Sequence, residues 1–259
     1  MSSTAPAPRV SRGGALVTGA VRRIGRALAI RAQTAGYDVA VHCRHPDAEA
    51  DALAASLRAI GGRSAVVVAD LTIDAELETL VARAGDVTGP LTLLVNSASL
   101  FEEDRIETLT PAGWDAHMGA NLRAPILLTQ AFAAQLPSDR HGLVVNILDQ
   151  RVLRPTPRFF SYALSKSALW QATPMLAQAL APRIRVNGIG HGPTLASIHQ
   201  SAEDFAAEIA GLPLQRGATS DEIADALGYL IDAHAVTGQM IAVDGGQHLA
   251  WKTPDIIDP

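Results

Sequence analysis

Cysteine is nearly absent from this sequence, and long apolar runs are missing altogether. The single cysteine, Cys43, excludes an intrachain disulfide and a metal site built from clustered cysteines. A chain that depends on no disulfide suits a reducing compartment, so we expect a cytoplasmic protein with no bound metal. Every apolar run is interrupted well before the roughly 20 residues that a membrane-spanning helix requires. The first residues also lack the continuous apolar core of a signal peptide.

Charge is sparse as well. Charged residues make up 18% of the chain and hydrophobic residues 48%, a balance typical of a globular protein rather than a disordered one. The net charge of −5 gives no reason to expect nucleic acid or an anionic membrane as a partner. With 259 residues, the chain can form one large α/β domain or two small ones. Residues 1–12, rich in Ser, Ala and Pro, are expected to be a disordered lead-in.

Strand and helix patterns alternate through the rest of the chain. Strands are predicted at residues 14–18, 38–43, 64–69, 91–95, 142–148, 183–187 and 239–243. Helices are predicted at residues 24–35, 47–60, 74–84, 111–136, 202–210 and 220–232, with a further helix after the fifth strand. We expect Pro125 to kink the fourth helix and Ser220 to cap the last one. The alternation predicts a single-domain Rossmann fold over residues 13–250, a doubly wound parallel sheet of about seven strands with helices on both faces, followed by a tail at 251–259.

Three groups that can exchange protons follow the fifth predicted strand. Asp149 stands at the end of the strand, and Tyr162 and Lys166 lie four residues apart on the next helix. That spacing puts the phenol and the ammonium on one helix face, one turn apart. Together, the three groups indicate a catalytic site. A carboxylate that only caps the loop after the strand is the alternative for Asp149.

A glycine-containing turn joins the first strand to the first helix. Gly19 and Gly25 let the backbone approach a pyrophosphate, and the helix N-terminus offers N–H donors and a positive dipole end. A tight turn with close helix packing is the alternative explanation. The other strand ends favour a dinucleotide, because ligands of open α/β sheets bind outside the carboxyl ends of the strands.

The strand ends also indicate which dinucleotide would bind. Asp70 follows the third strand, where a carboxylate can accept from an adenine amino group, and the small residues at 96–99 leave space for a ribose and a nicotinamide. No acidic residue ends the second strand; Arg44 stands there instead. Because an arginine at this point accommodates the 2′-phosphate of NADP, we expect NADPH as the cofactor, with Arg22 as a second phosphate partner. A solvated surface arginine is the alternative for Arg44.

In this order and spacing, these motifs resemble the short-chain dehydrogenase/reductase family over residues 13–250. Further pieces of the resemblance are Asn121 in the long helix and the run Asp244, Gly245 and Gly246 after the last strand. The resemblance implies that the catalytic residues are Asp149, Tyr162, Lys166 and Asn121. It implies cofactor contacts from Gly19, Arg22, Ile24, Gly25, His42, Arg44, Asp70, Leu71, Asn96, Ser97, Ala98, Lys166, Pro193 and Thr194. Many members are tetramers built through two long helices, so a homo-oligomer, a tetramer, is expected.

Two departures from the family pattern narrow the resemblance. Arg23 replaces the usual middle glycine of the first turn, and Asp149 replaces the usual catalytic serine. With Ser99, Phe101 and the stretch at 42–45, these changes resemble pteridine reductases and bacterial dihydromonapterin reductases. The resemblance implies a substrate site formed by Arg23, Ser99, Phe101, Asp149 and Tyr162, with Phe101 stacked on a flat heterocycle. A packing role in the core or under a lid is the alternative for Phe101.

The expected chemistry is hydride transfer from NADPH to a dihydropterin or related pteridine. The ammonium of Lys166 should favour phenolate and lower the pKa of Tyr162 while it binds a cofactor ribose. By resemblance, Asn121 marks a backbone kink that holds a water linking this lysine to solvent. Asp149 can share a proton with a ring nitrogen, which suits reduction of a C=N bond. A general ketone or alcohol oxidoreductase and a catalytically idle NADPH-binding sensor or scaffold are the competing hypotheses.

Residues 195–218 are expected to form a lid over the pocket. Its apolar contacts would come from Leu195, Ile198, Phe205 and Leu212. Three arginines near the entrance, Arg151, Arg154 and Arg158, are interpreted mainly as a solvated loop face, with steering of an anionic substrate tail as the alternative. His191 is interpreted as a loop residue rather than a polar group of the pocket.

Overall fold

The computed structural model describes residues 11–194 and 201–251. The described residues form a parallel sheet of seven strands in the order β3-β2-β1-β4-β5-β6-β7. The strands are β1 (Gly14–Val17), β2 (Asp38–Cys43), β3 (Ser64–Val68), β4 (Leu91–Asn96), β5 (Gly142–Asp149), β6 (Ile184–His191) and β7 (Met240–Val243). The strand order reverses at β1, which pairs with β2 on one side and β4 on the other. The predicted doubly wound Rossmann fold is confirmed.

Helices cover both faces of this sheet. They are α1 (Arg23–Thr34), α2 (Ala48–Ile60), α3 (Asp74–Thr88), α4 (Pro111–Met118), α5 (Ala124–Gln135), α6 (Phe160–Leu180), α7 (Ala202–Ala210) and α8 (Ser220–Asp232). One apolar layer joins the sheet to α1, α2 and α8, and includes Leu28, Leu57 and Leu227. The other joins it to α3 and α5, and includes Leu80 and Phe132. Within the described chain, none of these helices is both long and apolar enough to span a bilayer.

The predicted long helix at 111–136 is interrupted rather than merely kinked. Between α4 and α5, residues Gly119–Arg123 form one π-helical turn, and Pro125 occupies the first turn of α5. A proline has no N–H to donate, so the backbone before it is released from the regular α-helical pattern. The interruption lies next to the loop after β4, where it positions Asn121.

Several other predicted boundaries were wrong, among them the end of α3, which lies at Thr88 rather than at residue 84. Strand β6 runs to His191 rather than ending at residue 187, because residues 188–191 pair in register with β7. Two glycines in that stretch hide the strand pattern. The N-cap of α8 is Thr219, not Ser220: Thr219 and Glu222 form a reciprocal capping box.

The predicted terminal and lid segments are described only in part. Residues 1–10 and 252–259 lie outside the described residues, as do positions 195–200 with Leu195 and Ile198. The lead-in predicted for residues 1–12 was too long, because the N–H of Arg12 donates to the Gly36 carbonyl at 3.0 Å and its guanidinium pairs with Asp232 at 2.9 Å. The ordered domain therefore includes at least Ser11 and Arg12.

Candidate active site

A cavity of about 1340 Å³ opens at the carboxyl ends of the strands, beside the point where strand order reverses. All of the site residues predicted from the sequence line it except Asn96 and Asn121. Both exceptions are buried behind the cavity wall. The cavity therefore joins the expected dinucleotide and substrate residues in one continuous space.

Two glycines shape the turn between β1 and α1. A Cβ on Gly25 would lie 2.0 Å from the carbonyl oxygen of Gly19, and a Cβ on Gly19 would lie 2.9 Å from the Cα of Ala98. Gly19 also has φ of +62°, a conformation that favours glycine. Arg23 occupies the left-handed region too, with φ of +52°, at the position where the family has glycine. The turn is thus held close to the strand ends although one glycine has been replaced.

Two polar side chains fix this turn to its neighbours. The hydroxyl of Thr18 accepts the N–H groups of Ser97 and Ala98 at 2.9 and 3.0 Å. Nδ1 of His42 accepts from the Gly19 N–H at 3.0 Å, so its Nε2 donates to the carbonyl of Ala69 at 2.9 Å. Burial lowers the pKa of His42 to about 4, which keeps the ring neutral. Both ring nitrogens are therefore already used within the protein, and His42 offers a bound ligand packing contact rather than a hydrogen bond.

The basic residues expected at the adenosine end have carboxylate partners. Arg44 pairs with Asp70 at 2.7 Å, while Arg22 pairs with Asp47 and Glu49 at 2.9 and 2.7 Å. Although partial burial opposes it, hydrogen bonds from Thr72 and Arg44 lower the pKa of Asp70.

The three predicted proton-handling residues meet at the centre of the cavity. Tyr162 donates from its hydroxyl to Oδ2 of Asp149 at 2.9 Å. Burial raises the pKa of Tyr162 well above its ordinary value, and the charge of Asp149 raises it further. The predicted lowering of this pKa by Lys166 was wrong. Tyr162 is a protonated phenol that donates to a carboxylate.

Lys166 lies beside this pair but makes a different contact. Its Nζ donates to the carbonyl of Ile147 at 2.8 Å and lies 5.9 Å from the centre of the Tyr162 ring. Burial lowers the pKa of Lys166 to about 8, although the charge of Asp149 opposes this. The lysine is thus held against the end of β5, with a pKa of about 8 rather than its ordinary 10.5.

Arg151 is part of the site, so its interpretation as a residue of a solvated loop face was wrong. Its backbone N–H donates to Oδ1 of Asp149 at 2.8 Å and its guanidinium to Oδ2 at 3.0 Å. The side chain is only 22% exposed. Asp149 caps the turn after β5, which is the alternative role considered for it from the sequence. It also accepts a hydrogen bond from the hydroxyl of Tyr162. The other two arginines are exposed, and Arg158 pairs with Glu103 at 2.8 Å.

An aromatic cluster forms the substrate side of the cavity. Phe101 stacks on Phe159 with ring centres 4.2 Å apart and meets Tyr162 edge-on at 4.7 Å. The guanidinium of Arg151 lies 5.6 and 5.4 Å from the two phenylalanine ring centres. Phe159 has φ of +54°, a strained conformation for a bulky residue. Sequence reasoning missed Phe159, because no motif distinguishes it from a packing residue at a helix start.

Asn96 and Asn121 support the cavity from behind. Asn96 donates to Oδ1 of Asn146 at 2.9 Å. Asn121, in the π-helical turn, accepts from the N–H of Leu100 at 2.8 Å and donates to the Leu100 carbonyl at 2.9 Å and to Ser165 at 3.1 Å. The side chain of Asn121 therefore joins the loop after β4 to α6.

His191 ends strand β6 and lines the cavity, so its interpretation as a loop residue was wrong. Its backbone lies in register with Asp149 on the neighbouring strand. Burial lowers the pKa of His191, against the opposing charge of Asp149. A Cβ on the next residue, Gly192, would lie 2.7 Å from the Cβ of Asp244, so the run at 244–246 packs directly under the segment that carries Pro193 and Thr194.

The described part of the predicted lid packs along the cavity. Phe205 and Glu208 of α7 line it, and Glu208 accepts from Nε2 of Gln247 at 2.9 Å. Leu212 is buried, 4% exposed.

Known proteins resemble this chain in sequence and in fold. A family model described as enoyl-(acyl carrier protein) reductase matches residues 19–248. FolM alternative dihydrofolate reductase 1 from Brucella suis, whose crystal structure is a complex with NADP, is 50% identical to this chain in sequence. The match covers 95% of this chain and 98% of the Brucella suis chain, with a TM-score of 0.91. The Brucella canis protein of the same name, complexed with NADP, is 49% identical over 97% of this chain and 100% of its own, with a TM-score of 0.92. The 3-oxoacyl-[acyl-carrier-protein] reductase FabG of Staphylococcus epidermidis is 27% identical over 91% of this chain and 98% of its own.

Proposed function

Because the chain belongs to the short-chain dehydrogenase/reductase family, a family of nicotinamide-dependent oxidoreductases, we propose that it reduces a dihydropterin or related pteridine with NADPH. The observation that carries the proposal is Asp149, which accepts the Tyr162 hydroxyl at 2.9 Å beside the stacked rings of Phe101 and Phe159. The likeness to FolM alternative dihydrofolate reductase 1 supports the same substrate class.

The cavity residues fit NADPH. Gly19 and Gly25 leave room for a pyrophosphate at the N-terminus of α1, because a Cβ at either position would meet backbone atoms. Asp70 would accept from the adenine amino group, and Arg44 would turn from Asp70 toward the 2′-phosphate. Lys166 would bind the nicotinamide ribose. The remaining contacts would come from Arg22, Ile24, His42, Leu71, Ser97, Ala98, Pro193 and Thr194, with Asn96 behind them.

When bound, NADPH supplies the hydride. Tyr162 holds the proton that must reach the substrate nitrogen, since burial and Asp149 keep the phenol protonated. Asp149 orients that hydroxyl as its hydrogen-bond acceptor, and the phenolate that remains after transfer would regain its proton from solvent. Arg151 fixes the carboxylate through two contacts and partly neutralises its charge. Lys166 supplies positive charge beside a developing phenolate.

The substrate side suits a flat, nitrogen-containing ring. Phe101 and Phe159 form an aromatic wall next to the carboxylate of Asp149. One face of Phe101 is covered by Phe159, so a heterocycle would use its other face. Arg23 and Ser99 line the same cavity and would contact polar atoms of the ring.

Reduction of a ketone is the second candidate, favoured by the likeness to FabG. A ketone needs a hydrogen-bond donor at its oxygen, and the family's serine supplies one. Asp149 instead accepts three hydrogen bonds and presents negative charge at that point. This charge would repel a carbonyl oxygen, whereas it would attract a ring N–H.

Oxidation of NADPH tests the two candidates directly. Dihydrobiopterin, dihydromonapterin and dihydrofolate are compared with a panel of ketones, including a 3-oxoacyl thioester. We expect kcat/KM for at least one pteridine to exceed that for every ketone. Clear ketone turnover without any pteridine turnover would overturn the proposal.

We also propose that the chain forms a cytoplasmic homotetramer. The outer faces of α5 and α6 carry exposed apolar side chains, among them Leu127 and Met175, with Met175 65% exposed. Burial of such a surface against another copy would remove it from water. Light scattering on a sizing column measures the mass; a stable monomer contradicts this part of the proposal.

A further inference from the structure

A buried histidine lies outside the cavity, directly behind the aromatic wall. His117, in the last turn of α4, is only 1% exposed, and its ring centre lies 6.3 Å from that of Tyr162. It belongs neither to the predicted site residues nor to the residues that line the cavity.

The hydrogen bonds of His117 connect three parts of the fold. Its Nε2 accepts from the backbone N–H of Glu102 at 3.2 Å, in the loop that carries Phe101. Its Nδ1 lies 2.7 Å from the hydroxyl of Ser161, in the first turn of α6. Ser161 in turn makes a short hydrogen bond to a carboxylate oxygen of Asp104, and its backbone N–H donates to the other oxygen at 3.1 Å.

The direction of each bond follows from the donors. A backbone N–H can only donate, so Nε2 carries no proton and a neutral ring carries its proton on Nδ1. Nδ1 then donates a hydrogen bond to the hydroxyl of Ser161, and that hydroxyl donates a hydrogen bond to the carboxylate of Asp104. One neutral tautomer of His117 satisfies the whole chain of bonds.

This chain of bonds holds the residues that face the substrate. Glu102 adjoins Phe101, and Ser161 adjoins Tyr162 and lies two residues from Phe159. The backbone carbonyl of Asp104 also accepts from the N–H of Phe160 at 3.2 Å, next to the strained Phe159. Loss of the histidine would remove the part-buried hydrogen bond between the Glu102 N–H and Nε2.

We propose that His117 is a positioning residue, which holds the loop at 100–104 against α6 so that Phe101 keeps its place beside Tyr162. The proposal deepens the proposed function, because it assigns the geometry of the substrate wall to a residue that touches no substrate. It acts through the backbone of Glu102 and the side chain of Ser161.

The same geometry makes the loop sensitive to acid. Protonation would place an N–H on Nε2 opposite the Glu102 N–H and break that contact. Burial lowers the pKa of His117, while the carboxylates of Asp104 and Glu102 oppose this and the Tyr162 ring faces it from α6. The loop is therefore held at neutral pH and released as the pH falls below the ordinary range of histidine.

His117→Leu and His117→Gln separate a positioning role from simple packing. Leucine fills space but accepts nothing, whereas the side-chain oxygen of glutamine can replace Nε2. His141→Leu, at an exposed histidine before β5, is the matched control. Two quantities are measured: hydrogen exchange at the amide of Glu102 and steady-state kinetics with NADPH and dihydrobiopterin.

In His117→Leu we expect about tenfold faster exchange at Glu102 and about tenfold higher KM for the pteridine, with KM for NADPH unchanged. In His117→Gln both quantities should stay near native. Release of the loop should raise the pteridine KM of the native protein in acid, and His117→Gln should lack this rise. Unchanged exchange at Glu102 in His117→Leu would overturn the proposal, as would equal effects of leucine and glutamine. If the native protein turns over no pteridine, the proposed function fails, and the exchange comparison still decides the role of His117.

Discussion

Replacement of Asp149 by serine restores the residue usual in the family and removes the charge at the centre of the site. Asp149 is 3% exposed and accepts three hydrogen bonds, from the N–H of Arg151 at 2.8 Å, its guanidinium at 3.0 Å and the Tyr162 hydroxyl at 2.9 Å. Serine can accept from Tyr162 but cannot pair with Arg151. The variant therefore loses a proton acceptor and leaves a mostly buried cation without its partner.

The expected effects on stability and on catalysis can both be given as magnitudes. Breaking a buried ion pair by removing one partner costs about 3 kcal/mol of stability, at the lower end of the usual range because Arg151 is 22% exposed. If Asp149 is a positioned acid–base group, its loss should lower kcat/KM for the pteridine by about 100-fold or more. Turnover of ketones should be unchanged or higher, because serine can donate to a carbonyl oxygen.

The assay follows NADPH absorbance with a pteridine and a ketone on the same preparations, and urea unfolding measures the free energy of unfolding. Asp139→Ser, at an exposed aspartate, is the control. The double variant Asp149→Ser with Arg151→Ala should recover part of the stability, since the unpaired cation is removed with its partner. Pteridine kcat/KM within about threefold of native in a folded Asp149→Ser protein would refute the proton role.

Three further changes test the cofactor end and the lysine. Arg44→Ala should raise KM for NADPH about tenfold and leave KM for NADH unchanged, by steady-state kinetics; an equal effect on both cofactors contradicts the phosphate contact. Gly25→Ala should abolish NADPH binding by calorimetry, because its Cβ would lie 2.0 Å from the Gly19 carbonyl, whereas Gly85→Ala, with open space around its Cβ, should bind normally. With the pKa of Lys166 at about 8, kcat/KM for NADPH should fall as pH rises through that value, and Lys166→Met should lack this limb. A native profile flat across that range would argue against a charged Lys166 in the free protein.

The lowered pKa of Lys166 also determines how its contribution to stability changes with pH. Its folded pKa of about 8 lies below the ordinary 10.5, so between these values the unfolded chain holds more protons than the folded one. The contribution of Lys166 to stability therefore rises with pH across that window.

The fold could be predicted because periodicity and strand ends are local signals. Helices α7 and α8 and strand β2 begin and end at the predicted residues. The failures have physical causes that are not local. Strand β6 was cut short because Gly188 and Gly190 conceal a segment that is defined by its pairing with β7.

Most of the site residues expected from the sequence line the cavity, but the electrostatics of the cavity were not expected. The spacing of Tyr162 and Lys166 implies a close pair, yet Nζ bonds to the carbonyl of Ile147 and the phenol bonds to Asp149. The direction of the Tyr162 pKa shift depends on burial and on which charge is nearest, and neither can be read from spacing. The burial of Arg151 and His117 depends on segments distant in sequence, so no motif indicates either.

Transfer of deuterium from NADPH labelled at C4 of the nicotinamide, on each face in turn, tests hydride delivery to a pteridine most directly. Mass spectrometry of the product from dihydrobiopterin measures the label. We predict that one of the two labelled cofactors puts deuterium on a ring carbon of the tetrahydropteridine. Unlabelled pteridine with both cofactors, in a preparation that transfers deuterium to a ketone, would contradict the proposed function.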